Sequence, residues 1–136
     1  MDTKSALRLR RDSFTYADLA TDIEQFRLFL NDAKINKGDK IAICARNSAR
    51  WAMNFWCINV NGCVAVPLLA DFHPSNISSL TNHSDSVLLF VDDDIWAKLY
   101  PDDMPALKAA IELNKPCIID VLVDNEQYPP FNLGKV

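Results

Sequence analysis

Glycine is scarce in this sequence: 3 in 136 residues, at Gly38, Gly62 and Gly134. No two of them are close together. Loops that cradle phosphate need backbone N–H groups that can approach closely, and glycine permits that approach. Neither G-x-G-x-x-G nor G-x-x-x-x-G-K-[ST] can be read anywhere, so no nucleotide loop of either type lies in these residues. Charge of one sign is lacking as well: 14 Lys and Arg stand against 18 Asp and Glu, for a net charge of −4. The densest positive run is Arg8-Leu9-Arg10-Arg11. Nucleic-acid binding needs positive charge gathered on one face, and is excluded on that ground.

Targeting and metal signals are missing too. The first twenty residues hold no apolar run of the kind a secretory leader needs. The longest uncharged stretch, Trp51 to Ala70, is broken by Asn54, Asn59, Asn61, Gly62 and Pro67. It reads as a buried helix, a turn and a strand, so no transmembrane segment is expected. The cysteines, Cys44, Cys57, Cys63 and Cys117, form no C-x-x-C pair and sit among apolar neighbours. They read as core thiols of a protein in the reducing cytoplasm. His73 and His83 are ten residues apart with no cysteine near either, which does not make a zinc site. His73 precedes Pro74 and reads as a helix cap, and His83 sits where it can meet a helix C-terminal dipole. No G-x-S-x-G elbow is present. Catalytic, cofactor-binding and metal residues in this segment are therefore all read as none.

What is present suits a globular domain with its own core: 49% of the residues are hydrophobic and 24% charged, which is far from a disordered composition. Thr15 and Asp18 form a T-x-x-D capping box, with Phe14 and Leu19 placed for a hydrophobic staple. Tyr16, Leu19, Ile23, Phe26 and Leu30 then follow at helical spacing. Asn36-Lys37-Gly38-Asp39 is a turn. Lys40 to Ala45 is a buried strand. Asn47 or Ser48 caps a helix that is apolar on most sides. Gly62 ends it, and Cys63 to Leu69 is a strand whose Pro67 marks an edge. Pro74 opens a third helix running to about Asn82. Val87 to Val91 is a strand, and Asp92-Asp93-Asp94 starts a short helix through Leu99 as solvated acids. Met104 to Leu113 reads as a helix and Cys117 to Val123 as a fourth strand. Residues 124–136, with Pro129-Pro130, read as a loop tail. This alternation predicts an α/β fold, a parallel sheet of about four strands flanked by helices.

Several segments resemble AMP-forming acyl-CoA synthetases and related adenylate-forming enzymes. Thr15-Tyr16-x-x-Leu19 is similar to their first core motif. Ile35-Asn36-Lys37-Gly38-Asp39-Lys40-Ile41-Ala42-Ile43 is similar to their "G-V-K-K-G-D-R-V-A-I". Asn47-Ser48-Ala49-Arg50-Trp51 resembles "N-S-P-E-W". Asn61-Gly62-Cys63-Val64-Ala65-Val66-Pro67-Leu68 resembles "A-G-A-V-V-V-P-L". Ser84-Asp85-Ser86-Val87-Leu88-Leu89-Phe90-Val91 resembles "D-S-G-A-K-V-L-I-V". The five motifs occur in order, over roughly residues 5 to 100.

The resemblance implies that residues 1–136 are the N-terminal part of an AMP-binding domain. The parent it implies is a ligase of fatty acid metabolism that uses ATP, Mg²⁺ and CoA, with the insertion around Asp71-Phe72-His73-Pro74 leaning toward long-chain fatty acids. In that family these motifs are architectural and the ATP-handling residues come later. No cofactor is expected in this segment, which alone is expected to be inactive. Its implied partners are the rest of the parent chain and, through exposed apolar surface, a second copy in a homo-oligomer. The reading from a different class is a stand-alone flavodoxin-like binding or regulatory module such as a receiver domain. For that reading Asp92, Asp93 and Asp94 would form an acidic site with a phosphoacceptor at Asp120.

Overall fold

A computed structural model describes residues 5–9 and 12–112. The chain opens with an antiparallel hairpin of β1 (Ser5–Leu9) and β2 (Asp12–Thr15), which the sequence did not signal. The capping box forms at its end: the Thr15 hydroxyl accepts from Asp18 N at 3.1 Å, and the Asp18 carboxylate accepts from Thr15 N at 2.9 Å. That satisfies two donors that would otherwise be orphaned and starts α1 (Tyr16–Asp32). Phe26, Phe29 and Leu30 of α1 are buried, whereas Tyr16 is exposed and Asp22 is buried in the first half of the helix. Lys34 ends the element at φ 56°, with Ile35 N donating to Leu30 O at 2.9 Å. This is the left-handed ending that glycine more often supplies.

Four parallel strands follow: β3 (Lys40–Cys44), β4 (Val64–Leu68), β5 (Leu88–Val91) and β6 (Ala109–Glu112), in the order β4-β3-β5-β6. Between them come α2 (Ala49–Val60), α3 (Pro74–His83), α4 (Asp93–Trp96) and a 3₁₀ turn at Pro101–Asp103. Ser48 caps α2, its hydroxyl accepting from Trp51 N at 3.0 Å. Gly62 sits at φ 82° directly after α2, where a left-handed residue is required. Central strands of such a sheet meet helices on both faces. Accordingly Ile41, Ile43, Leu88 and Phe90 pack under α1 and α2, while Ala42, Cys44, Leu89 and Val91 pack with Ile77, Ile95 and Leu99 on the other face.

β4 is the outer strand among the described residues. Val64 N donates to Asp39 O at 2.9 Å, on the β3 side. Strand residues alternate, so the missing donor of Pro67 falls on the free edge, where it costs no ladder bond.

One sequence expectation is corrected. Met104 to Leu113 is not a helix: it passes from the 3₁₀ turn through a loop into β6, whose Ala109, Ala110 and Ile111 pair with Leu88, Leu89 and Phe90. The fourth strand is thus Ala109–Glu112, and the one expected at Cys117–Val123 lies outside the described residues, as does the tail 124–136. Local helix propensity lost here to burial beside β5, where the small Ala109 and Ala110 side chains fit under the flanking layers.

Candidate functional site

In an open α/β sheet a ligand crevice forms at the carboxyl ends of the strands, where the strand order reverses. Here that point lies between β3 and β5, which leave the sheet in opposite lateral directions. Three of the chain's own side chains pair with one another there. Asp92, directly after β5, is buried and accepts from Arg46 N at 2.9 Å and from Arg46 Nη1 at 3.0 Å. Asp94 takes the outer half of the same guanidinium in a two-pronged pairing, with Nη1 at 2.9 Å and Nη2 at 2.7 Å. That pairing is the main cause holding the Asp94 carboxyl below its ordinary range, and Asp94 with Asp92 pushes the Arg46 guanidinium further up. The acidic run is therefore not three equivalent solvated acids. Asp94 is an exposed helix-start residue, but Asp92 ties two strand exits together.

A second polar contact joins α1 to α2. Arg50 Nη1 lies 2.8 Å from Asp22 Oδ2, and the guanidinium also sits 4.5 Å from the centre of the Phe14 ring. Burial pushes the Asp22 carboxyl up, and Arg50 partly offsets it. Asn54, one turn further along α2, is fully buried, and neither end of its amide has a hydrogen-bond partner among the described residues.

The described cysteines are all buried. Burial, with a smaller push from Asp92, raises the Cys44 thiol to about 11; burial, with Asp22, raises Cys57 to about 12; Cys63 is raised as well. Thiols held this far from ionisation are poor nucleophiles, which agrees with their reading as core residues. Cys117 lies outside the described residues.

Two surface cavities lie among the described residues. One, of about 280 Å³, lies at the start of α3 and includes His73, Ser78, Lys98 and Tyr100. The His73 ring caps α3 as expected, accepting from Ser75 N at 3.2 Å. The other, of about 480 Å³, lies at the opposite rim beside Arg27, Lys37 and Asn61.

The family implied by the sequence motifs uses ATP and Mg²⁺, and the described residues do not fit that pair. Asp92 and Asp94 are already engaged by Arg46, and among the described residues no three His, Cys, Asp or Glu side chains converge as metal ligands. The glycines with left-handed φ, Gly38 and Gly62, serve turns at the far rim of the sheet. Among the described residues no helix is long and apolar enough to cross a membrane.

Known proteins similar to this chain agree with one another. The family model described as "AMP-binding enzyme" matches residues 2–132. YngI of Bacillus subtilis, a protein named as an acyl-CoA synthetase, is 28% identical over 121 residues, which is 88% of this chain and 21% of that protein. The chain thus spans about a fifth of the length of the curated relative it matches. Among solved structures, the anthranilate CoA ligase AuaEII bound to anthranoyl-AMP superposes with a TM-score of 0.75 at 18% identity, over 82% of this chain and 22% of that one. O-succinylbenzoate coenzyme A synthetase (MenE) of Bacillus subtilis, bound to AMP, gives a TM-score of 0.64 at 20% identity, over 81% and 28%. The parallel sheet flanked by helices is the fold these chains share with it.

Proposed function

The chain belongs to the AMP-binding enzyme family, and from that membership we propose that it is the N-terminal α/β unit of an ATP-dependent acyl-CoA synthetase. The parent joins a carboxylate to AMP, releases pyrophosphate, and passes the acyl group to the thiol of coenzyme A. Mg²⁺ offsets phosphate charge in such chemistry. The unit described here supplies architecture: a rigid sheet, sealed at its reversal point, against which the nucleotide-handling part of the parent is built. The observation that carries this division is the Arg46–Asp92–Asp94 cluster, which occupies the place where a sheet of this order would otherwise take a ligand.

The substrate of the parent is proposed to be a fatty acid, of the long-chain class suggested by the stretch Asp71-Phe72-His73-Pro74, and its compartment the cytoplasm. The rest of the parent chain is proposed to cover the apolar side chains left exposed around α2 and β4. Trp56, Val60, Val64 and Leu69 are between 46% and 65% exposed, large apolar side chains of the kind that a covering segment buries.

The test uses the longer protein. It should form AMP from ATP only when a fatty acid and CoA are both supplied. ADP as product, or turnover indifferent to the carboxylate, would overturn the reading; a preference for an aromatic acid would overturn only the fatty acid part.

A further inference from the structure

The cavity at the start of α3 is built from side chains, not from the helix end itself. Pro74 has no N–H to offer, Ser75 N donates to the His73 ring, and Asn76 N and Ile77 N donate to His73 O at 2.8 and 3.1 Å. The first turn of α3 therefore has no backbone donor to spare, and its dipole contributes only a favourable potential.

The side chains are different. Ser78 is only 7% exposed, lines the cavity, and its hydroxyl has no hydrogen-bond partner among the described residues. Thr81, one turn on, shows the usual way to satisfy a helix hydroxyl, donating to Ile77 O at 2.7 Å. The Ser78 hydroxyl is not walled off from solvent: it opens into the cavity, where it is free to donate to what enters. His73 Nδ1 accepts from Ser75 N at 3.2 Å and lies 2.8 Å from Ser75 Oγ. The proton of the neutral ring is thereby placed on Nε2, as a donor. Lys98, with no ion pair among the described residues, and Tyr100 add an ammonium and a phenol to the lining. Donors thus dominate, and Asp103 is the one carboxylate among them.

We propose that this cavity is a binding site for a small oxyanion, a phosphate or carboxylate group on a small molecule. Its charged oxygens accept from the Ser78 hydroxyl, His73 Nε2–H and the Lys98 ammonium. Asp103 selects against bulky polyanions and favours a ligand that also carries a donor. The site shares no lining residue with the Arg46 cluster and does not depend on what the parent enzyme adenylates.

The experiment is a nuclear magnetic resonance titration of the ¹⁵N-labelled chain with inorganic phosphate, with acetate, and with chloride at matched ionic strength. Saturating shifts at Ser75, Ser78 and Lys98 to Tyr100 are expected with phosphate or acetate and not with chloride. The anion that saturates identifies the headgroup. Ser78→Ala and Lys98→Gln should each weaken binding by about tenfold, the scale of one charge-assisted hydrogen bond. Lys37→Gln, at the other cavity, should leave it unchanged. Shifts that never saturate, that chloride reproduces, or that survive both substitutions would overturn the site.

Discussion

Arg50 Nη1 meets Asp22 Oδ2 at 2.8 Å, joining α2 to α1 through a carboxylate that is only 4% exposed at its side chain. Burial raises the Asp22 carboxyl above its ordinary value and Arg50 pulls it back. A raised folded value means that ionising Asp22 subtracts stability as pH rises from the unfolded value through the folded one, and that acid returns it. Removing Arg50 leaves a buried charge uncompensated. Arg50→Met is expected to cost about 3–5 kcal/mol at neutral pH. The deficit should shrink at acid pH, where Asp22, its carboxyl raised by burial, takes up a proton. Urea melts at the two pH values measure this, and an equal deficit at both would contradict it.

Asp92 and Asp94 share Arg46 but should not be equivalent. Asp92→Ala removes a buried acceptor from Arg46 N and from the guanidinium, and should cost about 1–3 kcal/mol. Asp94→Ala removes an exposed, solvent-screened pairing and should shift the melting temperature much less. Equal effects would mean that the reversal point is not held by Asp92. Acetyl phosphate with Mg²⁺ should leave the mass of the chain unchanged, since acids already engaged by Arg46 are poor Mg²⁺ ligands for the phosphoryl transfer that a receiver performs.

Gly38 and Gly62 are linked by a bond from Gly38 N to Gly62 O at 2.9 Å, and both have φ in the left-handed region, at 88° and 82°. An added Cβ at Gly38 meets nothing within 4 Å, whereas at Gly62 it would lie 3.2 Å from Lys37 Cγ. Either alanine should cost about 1 kcal/mol or more through backbone strain. Gly62→Ala should cost the more, and Lys37→Ala should recover only that excess. Thermal melts of the four variants decide it.

The apolar side chains exposed on α2 and β4, Trp56 among them, should drive self-association of the isolated chain, as a two-fold dimer, the commonest symmetric solution. Light scattering at tens of micromolar should report more than one chain per particle, and Trp56→Ser should reduce it. A clean monomer over that range would mean that this surface needs no cover.

Much of this architecture can be read from local chemistry. The Thr15 capping box, the Ser48 and His73 caps, Pro74 at a helix start and the left-handed Gly62 each need only neighbours a few residues away, and all are in place. The misses are long-range. Ala106 to Glu112 is rich in helix formers, yet Lys108 N donates to Val87 O at 2.7 Å and the segment joins the sheet. The strands of the hairpin are separated by Arg10-Arg11, not by the Asn-Gly or Gly-x pairs that signal a turn. Asp92 reads as a solvated acid until Arg46, forty-six residues away, is seen to bind it. The oxyanion cavity had no motif at all, because Ser78 and Lys98 are brought together only by the packing of α3 against the segment after α4.

The central claim is that this unit carries architecture and not the nucleotide site of its family. Calorimetric titration of the isolated chain with MgATP tests it most directly. No heat of binding is predicted, because the switch point is filled and no glycine-rich cradle is present. A dissociation constant in the micromolar range would contradict the account and place a nucleotide site within these 136 residues.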